Sequence, residues 1–419
     1  MRANAISTTG QHGEAPGATE HPSLTQAGMH GAFVKDGLNY QPRVPQTSSR
    51  LEGLRLAVKD VFDVAGLRTG AGNPAWWRKQ PIAQTSAPAV SALLAAGARW
   101  AGKTVTDELA SSLTGSNVHY GTPVNPADPR RLPGGSSSGS AVAVAGGHAE
   151  IALATDCGGS ARLPASYCGI WGIRPSHGCA GMSGFPLAPS FDTVGWFTAS
   201  GKVLMDVLHV VVPDARVREP RSWVVPEDAL AICGPEVRVA MANLLMKLDL
   251  PRKSIPAGTL PLNAWANAYR VLAGAEIWME HGHWVAENGA HLADNILKHF
   301  MAASRIGAEE IRQERLVRET ATQILAEILS DDAIILMPTV PGPAPSRCSP
   351  AGLLAEERHR VQQLVSAAGL AGLPQVSMPW IKVDGAPVGL SLIGARANDG
   401  AVIHAARSLE KLFSCNESI

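Results

Sequence analysis

Short apolar runs and helically spaced segments alternate through the first half of the chain. Leu54–Phe62 is an apolar run that ends in charge at Lys59 and Asp60. That is the pattern of a buried strand whose carboxyl end opens into a cleft, and it puts Lys59 where a site residue would stand. Ser86-Ala87-Pro88 leads into Ala89–Gly97, with an N-cap, an early proline, apolar spacing and a closing glycine, and predicts a helix. A proline-rich loop over Asn117–Pro133 then reaches Gly134-Gly135-Ser136-Ser137-Ser138-Gly139-Ser140. This Gly/Ser stretch is no flexible linker, because it opens directly into the small-residue helix Ala141–Gly147, which needs something packed tightly on it. Ile151–Thr155 reads as a buried strand, and Asp156-Cys157-Gly158-Gly159-Ser160 as a glycine-rich turn at its end. The two Gly/Ser turns are expected to be neighbours in space.

From Ser200 onward the pattern turns helical, over Val203–Val212, Glu227–Cys233, Glu236–Leu248, Leu262–His283 and Ala308–Ser330. Ala333–Met337 is strand-like, and Pro374–Met378 with Val388–Ile393 straddles Asp384-Gly385 as a hairpin would. Residues 1–30 are rich in Gly, Thr, Gln and Glu without apolar periodicity, so they are expected to be a loosely attached tail. The remainder, 31–419, is expected to be one domain. There is no fixed-period repeat and no heptad seam.

Composition narrows the partners. Lys plus Arg and Asp plus Glu both number 36 in 419 residues, so no broad field draws in nucleic acid or an anionic membrane. A small, neutral substrate fits better, bound by a monomer or homodimer. Six cysteines (Cys157, Cys168, Cys179, Cys233, Cys348, Cys415) form no C-x-x-C pair and no zinc-ligand spacing. They read as reduced thiols of a cytoplasmic protein. No apolar stretch approaches the 18 residues of a membrane span, and no signal-peptide core follows Arg2.

The chemistry concentrates in two serines 24 residues apart, Ser136 and Ser160, each preceded by two glycines. A nucleophile that must meet a planar carbonyl needs backbone without Cβ bulk beside it. Gly158-Gly159 also leaves N–H groups free to converge on the carbonyl oxygen, so the backbone of Cys157, Gly158, Gly159 and Ser160 is the expected oxyanion hole. A serine needs a base, and no histidine stands in a motif; Lys59, at the end of an apolar strand, qualifies if desolvation lowers its pKa.

Gly134–Ser140 together with Thr155-Asp156-Cys157-Gly158-Gly159-Ser160-Ala161-Arg162-Leu163-Pro164-Ala165-Ser166-Tyr167-Cys168-Gly169 resembles the signature of the amidase signature family. The resemblance implies a Ser-Ser-Lys triad: Ser160 as nucleophile, Ser136 as the bridging serine held by a cis peptide, and Lys59 as base. It implies supporting roles for Asp156 and Arg162, with Ser137 beside them. The implied fold is α/β, a large mixed twisted sheet flanked by helices on both faces, needing neither metal nor organic cofactor. Ser138 departs from the family pattern, where many members have Gly. Gly72-Asn73-Pro74, His119–Pro123, Arg174–Gly178 and Ser190–Phe197 are most similar to plant-type indole-3-acetamide hydrolases within the family. A small carboxamide, such as an aryl-acetamide, is therefore the expected substrate. A carbamate- or urea-type hydrolase and a glutamine-amidase subunit of a tRNA-dependent amidotransferase remain as alternatives.

Other features have plainer readings. Trp76, Trp77, Tyr120 and Trp171 are candidates to line an aromatic pocket, although most buried tryptophans are simply core. His281 and His283 sit two apart on a helix end, a spacing that does not converge ligands on one face. Cys157 adjoins the oxyanion turn, but Ser160 holds the nucleophile position.

Overall fold

The computed structural model describes residues 24–414. One sheet contains β1 (Arg55–Lys59), β2 (Arg99–Thr104), β3 (Ile151–Asp156), β4 (Trp171–Arg174), β5 (Thr193–Thr198), β6 (Ser222–Pro226), β7 (Arg252–Ile255), β8 (Ala333–Pro338), β9 (Gln375–Val383) and β10 (Ala386–Ile393). Their order is β2-β1-β3-β5-β4-β9-β10-β8-β6-β7. β1 runs parallel to both β2 and β3, the centre from β3 to β8 is antiparallel, and β8, β6 and β7 return to parallel pairing.

Both faces of the sheet are covered, as expected, and this explains why β1 and β3 are continuously apolar instead of alternating. Leu56, Ala57, Val58 and Ile151 through Ala154 are all fully buried. Successive strand residues point to opposite faces. At β4, Trp171 packs toward Gly201 of the helix Gly201–Val211, whereas Gly172 faces Ala165 of the helix Arg162–Cys168.

The predicted helix over Ala89–Gly97 forms as Pro88–Ala95, and the hairpin forms with Asp384 and Gly385, both at positive φ, as its two-residue turn. The small-residue helix runs from Ser138 to Ala145. A Cβ on its Gly139 would stand 2.4 Å from the Ala32 carbonyl oxygen and 2.6 Å from Val105 N, which identifies the close neighbours that its lack of bulk requires.

Those contacts bear on the tail expected over residues 1–30. Residues 1–23 lie outside the described residues. Leu24–His30, however, are tied to the fold: Thr25 bridges Val34, Gln26 N donates to Phe33 O at 3.0 Å, and Phe33 bridges Thr104 at the end of β2. The boundary expected near Gly31 thus falls inside a paired segment, held by the full burial of Ala32 and Phe33.

For function, the decisive feature is the parallel pairing of β1 with β3, in register at Val58 and Leu153. It brings the carboxyl ends of the two strands side by side, and the residues that follow them open at the same edge.

Candidate active site

Lys59 ends β1 and is fully buried. Its Nζ donates to Ser136 Oγ at 2.9 Å and to Thr155 Oγ1 at 2.7 Å. Ser136 follows a cis Gly135–Ser136 peptide, and its carbonyl accepts from Thr106 Oγ1 at 2.9 Å and Asp107 N at 3.0 Å. Ser137 Oγ donates to the Thr155 carbonyl at 3.2 Å, so the two Gly/Ser turns do meet at the end of β3.

Burial lowers the Lys59 pKa to about 8, because an ammonium loses its hydration there, while Asp107, Asp192 and Asp156 pull it back upward. Asp107 and Asp192 are themselves pushed up to about 6 by burial. Both still carry charge at neutral pH.

Ser160 sits in the turn after β3, and Asp156 organises that turn. Its carboxylate accepts from Gly159 N (3.0 Å), Ala161 N (3.1 Å), Arg162 Nε (2.9 Å) and the other Arg162 nitrogen (2.7 Å), with Arg174 at 3.2 Å. Burial alone would raise the Asp156 pKa, but Arg162 and Arg174 outweigh it and hold the carboxyl far below the usual carboxylate range. Arg162 continues outward to the Val365 carbonyl and Gln375 Oε1, both at 2.6 Å. A Cβ on Gly158 would stand 2.1 Å from the Tyr269 hydroxyl, and Gly159 has φ +111°, so neither position tolerates a side chain without strain.

Two of the expected links differ here. The Gly159 N–H is engaged by Asp156, which leaves Cys157, Gly158 and Ser160 as the backbone donors of the expected oxyanion hole. Among the described residues no protein group hydrogen-bonds Ser160 Oγ, so the contact from Ser136 to Ser160 is not closed. Burial raises the Cys157 thiol well above its ordinary value, which keeps it protonated and unsuited to attack.

Ser160 is 5% exposed and faces a narrow chamber of about 30 Å³. Leu187, Tyr269, Ile277, His299, Arg358 and Gln362 form its outer wall, contributed largely by the helices Leu262–Asn288, Asp294–Ala303 and Ala351–Ala371. None of the four expected aromatic residues lines it. Trp76 packs edge-on against Phe185, His281 and Trp284, and Trp77 donates to Asp36. Tyr120 belongs to a small cluster with Val34 and Val105, and Trp171 lies in the main core. The physical reason is ordinary: Trp76, Tyr120 and Trp171 pack against apolar clusters, Trp77 lies partly exposed beneath Arg68, and the site wall came from a different part of the chain. His281 is likewise a buried core histidine, bonded to the Pro186 carbonyl at 2.6 Å and stacked on Phe185.

Sequence reasoning missed Thr155, Thr106, Asp107 and Arg174. Thr155 carried a usable signal, since it ends the strand read over Ile151–Thr155 and stands one residue before Asp156.

This mixed sheet and signature site define an amidase, and the comparisons agree. Residues 35–242 match the Amidase family, and the chain belongs to the amidase signature family. Amidase 1 of Oryza sativa subsp. japonica is 36% identical over 91% of this chain and 95% of its own length. Amidase 1 of Arabidopsis thaliana is 34% identical over 90% of this chain and 97% of its own. A solved amidase crystal structure superposes with a TM-score of 0.78 at 31% identity, covering 87% of this chain and 85% of that one. Among the described residues no helix is long and apolar enough to cross a membrane.

Proposed function

We propose that the chain hydrolyses a small carboxamide to a carboxylate and ammonia or an amine, through an acyl-enzyme on Ser160. The supporting observation is the 2.9 Å contact between the fully buried Lys59 Nζ and Ser136 Oγ, beside the Ser160 turn at the floor of a chamber. In the reactive state Lys59 is neutral, so this hydrogen bond reverses and Ser136 donates to Nζ, while Nζ keeps donating to Thr155. Ser160 Oγ attacks the carbonyl carbon and passes its proton to Ser136 Oγ as the Ser136 proton moves to Lys59. Backbone N–H groups of Cys157, Gly158 and Ser160 receive the developing oxyanion.

Collapse of the tetrahedral intermediate breaks the C–N bond. The leaving nitrogen takes the proton returned along the same relay, and the acyl group stays on Ser160 as an ester. Water then attacks the ester, gives a proton to the relay, and releases the carboxylate with Ser160 restored. The open Ser136–Ser160 contact is compatible with this sequence, because catalytic hydrogen bonds are commonly long without substrate and tighten in the complex. Five unpaired cysteines among the described residues support a reducing, cytoplasmic setting. The likeness to plant Amidase 1 supports a small amide. An aromatic acyl group has weaker support, since the tryptophans expected to receive it lie elsewhere.

Two measurements test the proposal. Fluorophosphonate treatment followed by peptide mass spectrometry should place the label on Ser160. Ser160→Ala, folded by circular dichroism, should lose ammonia release from butyramide by at least about 10⁴-fold. A label elsewhere, or retained turnover in that variant, refutes the proposal.

A further inference from the structure

The chamber above Ser160 has an unbalanced charge. Asp and Glu are absent from its lining, and from that of the adjoining outer chamber of about 430 Å³, which shares Tyr269, Ile277, His299, Arg358 and Gln362 with it. Among the bases of the inner chamber, His299 is held neutral: burial lowers it to about 4, and its Nδ1 pairs with Ser111 Oγ at 2.8 Å. Arg358 is the formal cation that remains. Arg270, in the outer chamber, donates to Glu310 at 3.2 Å and to Asn267, whereas Arg358 has no hydrogen bond and no ion pair with any described residue. Tyr269 and then Asp107 act on Arg358 only through space. Arginine cannot shed its charge at physiological pH, and its planar fork matches a carboxylate in two parallel hydrogen bonds.

Arg358 is exposed to solvent where the two carboxylate-free chambers join, and it shares the inner one with Ser160, so its guanidinium is free to take a counter-ion from a ligand that reaches the nucleophile. We propose that Arg358 determines specificity by binding a carboxylate on the acyl portion of the substrate, so that the preferred substrate is the monoamide of a short dicarboxylic acid. Because Arg358 and Ser160 line the same narrow chamber, the spacer between carboxylate and amide is restricted to a few carbons. This inference rests on the amidase reading of Ser160 and adds the substrate class.

The test compares succinamate with its neutral counterpart butyramide, using ammonia release as the readout, on wild type, Arg358→Gln and Arg358→Lys. Wild type should favour succinamate in kcat/KM. In Arg358→Gln the succinamate-to-butyramide ratio should fall by about 10- to 100-fold, expressed mainly in KM, and Arg358→Lys should recover part of it. Calorimetry with succinate, the product carboxylate, provides a readout independent of turnover: binding to wild type should weaken at least about tenfold in Arg358→Gln. An unchanged ratio, or succinate binding indifferent to the substitution, overturns the assignment of Arg358. Ser160-dependent butyramide hydrolysis without a succinamate preference would sink this inference and leave the amidase reading intact, whereas absence of any Ser160-dependent turnover would sink that reading and the substrate class with it.

Discussion

Replacing Asp107 with asparagine tests the electrostatics of the base directly. Burial dominates the Lys59 pKa and lowers it to about 8; Asp107 heads the three carboxylates that oppose this. At pH 7 a group of pKa about 8 is uncharged in roughly one molecule in ten, and only that fraction accepts a proton. Asparagine keeps the shape of Asp107 and can still accept from Gly115 N, the 3.0 Å bond made by Oδ2, while its amide replaces the Oδ1 that has no partner. The Asp107 backbone N–H to the Ser136 carbonyl is untouched. Removing an opposing buried charge should drop the Lys59 pKa by roughly one unit. About half of the lysine is then neutral at pH 7, and kcat/KM for butyramide should rise about fivefold there while changing little on the alkaline plateau. The assay is a pH profile of kcat/KM between about pH 6 and 10, which reports the free enzyme. An acid limb that stays in place, or moves to higher pH in a folded variant, refutes the assignment of Lys59 as the titrating base.

Asp156→Asn should be strongly destabilising, by about 3–5 kcal/mol in urea denaturation, because it strands the buried Arg162 and Arg174 guanidiniums; an unchanged midpoint would contradict the role assigned to this carboxylate. The same pairing fixes the sign of the acid response. The folded Asp156 is held far below its unfolded value, so its contribution is complete above about pH 4 and drains away as pH falls below that. Gly158→Ala should lower kcat by about 10²-fold or more, since the three atoms nearest the new Cβ all belong to Tyr269 and the oxyanion turn must shift. Pairing it with Tyr269→Ala should recover thermal stability, and failure to do so would place the clash elsewhere.

The parts of the site that the sequence revealed are those built from local chain. Lys59 could be found because an apolar run ends in charge, and Ser136 and Ser160 because paired glycines mark turns where side-chain bulk is forbidden. The approach of Lys59 to Ser136 and to the Ser160 turn follows from β1 and β3 being parallel neighbours, a pairing the sequence did not show; only the nearness of the two Gly/Ser turns was expected. The substrate wall was illegible for an equally physical reason. Tyr269, Ile277, His299, Arg358 and Gln362 stand on three helices, and helical periodicity shows which face is buried without showing what it is buried against. Aromatic residues were a poor guide in the same way, since a ring gains as much from core packing as from lining a pocket. Several sheet strands were also unmarked: β4 is four residues long, and β6 and β7 lie within a half whose dominant pattern is helical.

The position of Lys59 shows why a lysine can do work usually given to histidine. A fully buried ammonium is disfavoured by up to 3–5 pKa units when nothing compensates. Such a lysine would be neutral at pH 7 and a weak base, with little driving force to take a proton from a serine. Three carboxylates on the surrounding turns return part of that loss, and the balance near 8 leaves an amine that is partly uncharged yet still basic. The compromise depends on Asp107 and Asp192 keeping their charge, which they do because burial raises them only to about 6. Below that pH their protonation removes the opposing charge just when protons are most abundant. Lys59 should therefore resist protonation more than an isolated group would, and the acid limb of the profile should be shallower than a single titration predicts.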